Sequence, residues 1–87
     1  MFRINEIFPD ENTVIIQVEG RIDQKSTESL QDICNKHIQT AHRRVLIDFQ
    51  GFLHMSNEGK RFLEEIRNQV AFTNIPEFLK LELGLEE

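Results

Sequence analysis

Few side chains in this 87-residue chain stand where their types and spacing could do chemistry. Cys34 and His37 are three positions apart in a segment with helical spacing, so one turn would bring a thiol and an imidazole together as half of a metal site. No second pair completes it, because His42 and His54 are isolated. The pair reads more simply as a half-buried cysteine beside a surface histidine. Asp48 closes the apolar run Val45-Leu46-Ile47, and the end of a strand is where a phosphoryl-accepting aspartate would sit. The further carboxylates needed to hold Mg²⁺ there are supplied only loosely, by Asp10 and Glu11. The simpler reading has Asp48 accepting hydrogen bonds from amides of the following loop. No Gly-x-Ser-x-Gly elbow and no helix-borne His-Glu-x-x-His occurs, and Gly20, Gly51, Gly59 and Gly84 are too scattered to cradle a phosphate. Enzymatic activity is not expected, and neither is a cofactor or a metal.

What remains is a surface. Phe52-Leu53-His54-Met55 is an apolar patch, with Phe52 and Met55 expected to turn inward and Leu53 and His54 outward. Ser56-Asn57-Glu58-Gly59 follows at the start of a helical pattern, with Lys60 next in line. A patch beside a helix start can be contacted by another protein without any catalytic constellation.

The elements that would position these residues follow from periodicity. Residues 2–8 and 13–19 read as a strand pair joined across Pro9-Asp10-Glu11-Asn12, the second being the β-branched stretch TVIIQVE with Gly20 as its stop. Ser26 is the expected cap of a helix whose apolar face is Leu30, Ile33, Cys34, Ile38 and Ala41, reaching about His42. Residues 44–49 form a short, nearly continuous apolar strand of the kind covered by helices on both faces, with Gly51 ending it. Ser56 or Asn57 caps a second helix with the stripe Phe62, Leu63, Ile66 and Val70, and Gly59 in its first turn allows a close approach of neighbouring backbone. Leu79, Leu81, Leu83 and Leu85 alternate like a strand, but Asn74 as cap, Pro76, Glu77 and Gly84 make a helix signature. The expectation is therefore a short strand over 69–73 and a helix over 75–83. The fold class is α/β: a single mixed four-stranded sheet with about three helices packed against it, in the order β-β-α-β-α-β-α.

Totals bound the rest. One domain over residues 1–87 is expected, with too small a core to enclose a deep pocket as well. Fifteen acidic against ten basic residues give a net charge of -5, with Arg43 and Arg44 the only basic pair, so no nucleic-acid partner is expected. No apolar stretch nears the roughly 18 residues of a membrane span, and no signal peptide is evident, which points to the cytoplasm. A lone cysteine agrees with a reducing compartment.

Three segments resemble the STAS family of anti-sigma-factor antagonists, in the family's order. They are Val18-Glu19-Gly20-Arg21-Ile22-Asp23, then Val45-Leu46-Ile47-Asp48-Phe49-Gln50-Gly51, then Ile75-Pro76-Glu77 through Leu83-Gly84-Leu85. The resemblance implies a protein-interaction module whose partner is a regulatory protein such as an anti-sigma or serine-kinase-like factor. It also implies a phospho-switch at the turn before the second helix, which reads Asp-Ser-Ser-Gly in the switched members, the first serine being phosphorylated. Here the stretch is Ser56-Asn57-Glu58-Gly59, and Asn57 in the acceptor slot cannot take phosphate. The expected partner-binding residues are Asp23, Leu53, His54, Ser56, Asn57, Glu58 and Lys60. A small-ligand or lipid-binding role is the alternative, with an apolar cavity between sheet and helices as its mark. Homodimer formation through an open first strand is a further possibility.

Overall fold

The computed structural model describes residues 2–84. Leu85, expected at the end of the last helix motif, lies outside the described residues. Strands β1 (Phe2–Asp10) and β2 (Thr13–Ile22) pair antiparallel around a tight turn in which the Asn12 amide donates to Asp10 Oδ1 at 2.8 Å. Both run longer than their apolar runs suggest. Pro9 is tolerated in β1 because that strand lies at the sheet edge, where a missing N–H breaks no ladder. Gly20 does not stop β2. It adopts φ 86°, a left-handed conformation that is cheap only for glycine, and the strand continues to Ile22.

Helix α1 spans Gln24–Asn35 and passes directly into a π-helical turn, Lys36–Thr40, ending before His42 at φ 53°. Its cap is Asp23, not Ser26: Asp23 Oδ1 accepts from the Ser26 amide at 2.8 Å, and Ser26 itself is buried inside the first turn. Ala41 is exposed and outside the core. Strand β3 (Arg44–Met55) is twice the expected length and pairs parallel with β2. It survives Gly51 because an irregularity in the ladder carries it past; a Cβ there would lie 2.7 Å from Glu19 Cγ. Helix α2 (Asn57–Ile66), strand β4 (Ala71–Thr73) and helix α3 (Glu77–Glu82) complete the chain. Asn74 is not the cap of α3. It turns the chain at φ 54° and donates from Nδ2 to Asp48 Oδ1 at 2.8 Å, while Pro76 takes the cap position.

The sheet order is β1-β2-β3-β4, antiparallel for the first pair and parallel for the next two. Alternate residues Val14, Ile16 and Val18 of β2 and Val45, Ile47 and Phe49 of β3 form one buried cluster with Leu30 and Cys34 of α1, Phe62, Leu63 and Ile66 of α2, and Leu79 and Leu83. Burial of each such aliphatic side chain contributes about 1.5–3 kcal/mol, which is what holds these short helices in place. The helices share one face. The opposite face carries Ile15 and Leu46, both only half-buried, so Val45-Leu46-Ile47 is not covered on both sides. The thin dimension of the molecule, 20 Å against 32 and 31 Å, is that of one sheet and one helix layer.

The two sites with chemical alternatives resolve structurally. Asp48 accepts from the Gln50 amide at 3.0 Å, as expected, as well as from Asn74. Asp10 and Glu11 sit at the opposite end of β3, where the Arg44 amide donates to the Asn12 carbonyl, so they do not converge on it. Neither Cys34 nor His37 is at the surface: they are 0% and 1% exposed. The imidazole fits edge-on against Phe8, with Nδ1 3.3 Å from an Arg43 guanidinium nitrogen and Nε2 3.5 Å from Glu6 Oε1 without hydrogen-bond alignment. Among the described residues no group of three metal-ligating side chains occurs.

Candidate functional site

The expected partner residues gather where the parallel strands β2 and β3 end and the helices α1 and α2 begin. The hydrogen bond from the Ser56 amide to the Ile22 carbonyl, 2.8 Å, ties the two strand ends together. It therefore sets the two helix starts side by side. Asp23 caps α1, and its carbonyl also accepts from the Thr27 hydroxyl at 2.8 Å. The Ser26 backbone N–H, followed by its hydroxyl, holds the exposed Asp23 carboxyl below its ordinary value. Ser56 caps α2, its hydroxyl accepting from the Gly59 amide at 3.3 Å.

Gly59 is where the two helices meet. A Cβ at this position would lie 2.5 Å from Met55 Cγ and 3.1 Å from Thr27 Oγ1. The close neighbours are thus side chains from β3 and α1, not backbone. This contact closes the floor between α1 and α2, and an open cleft of about 240 Å³ lies above it, lined by Gln24, Thr27, Glu28, Gln31, Glu58, Arg61, Phe62 and Glu65.

Asn57 and Glu58 occupy the first turn of α2 and are exposed. A carboxylate there is favoured by the unpaired amides of the helix start. Lys60 is half-buried, its Nζ 2.9 Å from Glu82 Oε1, so it links α2 to α3 as well as facing outward. Leu53 is 72% exposed and His54 is exposed, while Phe52 is half-buried and Met55 buried, the alternation expected of them. These four residues lie in β3 and not in a connecting loop.

Asp23, Ser56, Asn57 and Glu58 thus come together across the paired strand ends, and Lys60 stands one turn further along α2. The cleft adds Glu28, Gln31 and Arg61, which sequence reading did not single out. Polar helix residues of this kind give no local signal of a site; the packing of α1 beside α2 is what makes their faces the walls of a cleft. Phe78 and Leu81 on α3, 52% and 62% exposed, were likewise assigned no role. The i, i+3 spacing of these two large apolar residues was the available signal. What the arrangement offers is a hydrogen-bonding surface with a charged rim, suited to recognition.

The STAS domain family model matches residues 6–79. No curated protein matches the sequence significantly. Among solved structures, that of the anti-sigma factor antagonist SpoIIAA in its unphosphorylated form superimposes with a TM-score of 0.74, covering 97% of this chain and 84% of that one at 15% identity. At that identity the likeness speaks for the fold, the same mixed sheet with helices on it. With the family model reaching from within β1 into α3 and covering β2, β3, β4 and both long helices, the chain belongs to the STAS domain family.

Proposed function

We propose that this STAS domain is a non-enzymatic regulatory module that binds a protein partner through the paired helix starts at Asp23 and residues 51–60. The carrying observation is the Ser56–Ile22 hydrogen bond, which brings the two helix starts together and leaves Asn57 and Glu58 exposed beside them. Asp23, Ser56, Asn57, Glu58 and Lys60 make the contacts, with Leu53 and His54 at the margin. The partner is a regulatory protein of the anti-sigma or serine-kinase-like kind. Support comes from the family membership and from the resemblance to the unphosphorylated antagonist.

Asn57 stands in the slot that holds the phospho-acceptor serine in switched members, and an amide cannot be phosphorylated there. Phosphate would bring roughly two negative charges to this surface. Without it, the surface stays permanently in the binding-competent state. In this reading Ser56 serves as the cap of α2, its hydroxyl accepting from the Gly59 amide, and stays unmodified.

The test captures partners on the immobilised chain and on Asn57→Glu, which sets a negative charge at that position. A regulatory protein retained by the natural chain and lost from the variant is the expected result. Stoichiometric phosphate on Ser56 by intact mass in cells would remove the permanent-state reading. A folded chain that retains no protein, yet shifts its melting point with a nucleotide or lipid, would replace the reading with ligand binding.

A further inference from the structure

The sheet face turned away from the helices carries an apolar row that crosses all four strands. Register places Ile7 of β1 beside Ile15 of β2, Ile15 beside Leu46 of β3, and Leu46 beside Ala71 of β4. Each strand alternates, and the flanking Val14, Ile16, Val45 and Ile47 point into the core, so this row points out. Ile7 is 43% exposed, Ala71 is exposed, and Ile15 and Leu46 are half-buried.

Two charges flank the row symmetrically. Arg44 and Asp48 lie two residues before and two after Leu46, on the same face of the same strand. Asp48 is only 8% exposed, and the donors to its carboxylate are all neutral: the Gln50 amide, Asn74 Nδ2, and Gln17 Nε2 at 3.5 Å. The exposed Arg44 guanidinium makes no hydrogen bond or ion pair among the described residues. Four residues of strand separate the two by about 13 Å, with Leu46 between, so neither neutralises the other within one chain.

We propose that two copies of this chain pack sheet on sheet through this face, about a two-fold axis running along the Ile7–Ile15–Leu46–Ala71 row. Rotation about that axis reverses the strand direction and sets each row residue opposite its own counterpart. It also carries Arg44 of each copy over Asp48 of the other, giving two equivalent ion pairs around an apolar strip. Sheets stacked in this way keep their strands within about 30° and lie about 10 Å apart. Pairing through the free edge of β1 is opposed by Pro9, which offers no donor, and by the irregular register between Ile7 and Asp10.

The face is small. A row about 15 Å wide and strands about 17 Å long give roughly 250 Å² in projection, well below the roughly 800 Å² per partner of a stable interface. The dimer is therefore weak and forms at high chain concentration. Sedimentation equilibrium up to about 1 mM chain tests it. Expected is a concentration-dependent dimer that salt weakens, and that Arg44→Glu and Ala71→Glu each weaken about tenfold at low salt. Both positions are exposed, and an unchanged circular dichroism spectrum certifies folding. In a Cys34→Ala background, a short bismaleimide joins Ile15→Cys of two copies, because Ile15 meets itself across sheets about 10 Å apart, too far for a direct disulfide. A natural chain that stays monomeric at about 1 mM overturns the proposal. So does a dimer that ignores both charge substitutions and leaves the Ile15→Cys thiol unlinked.

Discussion

Asp23 shows how one side chain at a helix start enters both stability and recognition. The Ser26 backbone N–H lowers its carboxyl below 3.8, so the charged form is favoured more in the folded than in the unfolded chain. That stabilisation is fully present above pH 3.8 and is lost as pH falls through the folded value. Asp23→Ala is therefore expected to lower stability in urea titrations at neutral pH, with the deficit shrinking as the pH is taken below that value. Cys34 is the opposite case. Burial pushes its thiol up to about 12, so a maleimide should leave it unlabelled at pH 8 until the chain unfolds. At Gly59 the question is space. Gly59→Ala gains helix propensity of about 1 kcal/mol but forces the buried Met55 aside at about 1–3 kcal/mol, so a net loss of about 1 kcal/mol is expected from chemical denaturation. These residues differ in legibility. Cys34 shows its helix face by spacing alone, whereas the capping role of Asp23 was masked by Ser26, an equally good capping type three positions later.

Among the elements, α2 was the most legible, because Ser56, one of two expected caps, and the stripe Phe62, Leu63 and Ile66 agree, although Val70, expected on that stripe, lies past the helix end. Ser56→Ala removes the hydroxyl that accepts from the Gly59 amide and is expected to cost about 1 kcal/mol in denaturant unfolding. The end of the chain was less so. Leucine alternation and helix signals competed over residues 79–85, and α3 proves to be a six-residue helix too short to stand alone. It is held by Leu79 and Leu83 in the core and by the guanidinium of Arg67, which donates to the Leu83 carbonyl at 2.5 Å. Arg67→Ala is expected to speed hydrogen exchange over residues 79–84 while leaving that of β2 and β3 unchanged. A reading from sequence could not find this bond, which spans sixteen positions. Strand lengths were misjudged for a related reason. Gly20 and Gly51 read as stops, but Gly20 is paired with both β1 and β3 and Gly51 with β2, and these ladders carry the strands through.

At the scale of the whole molecule, three helices and the two central strands share one buried cluster, against which Phe2 and Ile4 of β1 and Phe72 of β4 pack. No part of that cluster can be exposed without uncovering the rest, so unfolding in urea is expected to be a single transition. The chain has neither tryptophan nor tyrosine, so labelling of Cys34 supplies the second probe. Its midpoint should coincide with that of far-ultraviolet circular dichroism; separated midpoints would show that α1 leaves the sheet independently.

By itself the sequence determined the kinds of element, their order, the α/β class and the family resemblance, since each rests on periodicities and short motifs read locally. Asn57 in place of a phosphorylatable serine is likewise a fact of the sequence alone. The tertiary structure decided which sheet face the helices cover, because the run Val45-Leu46-Ile47 looks the same in either case and only packing tells them apart. It also decided that Asp23 lies beside Ser56, which depends on a parallel pairing between segments far apart in the chain. Register and helix crossing are long-range choices, set by the burial of one common core and written in no single stretch of residues.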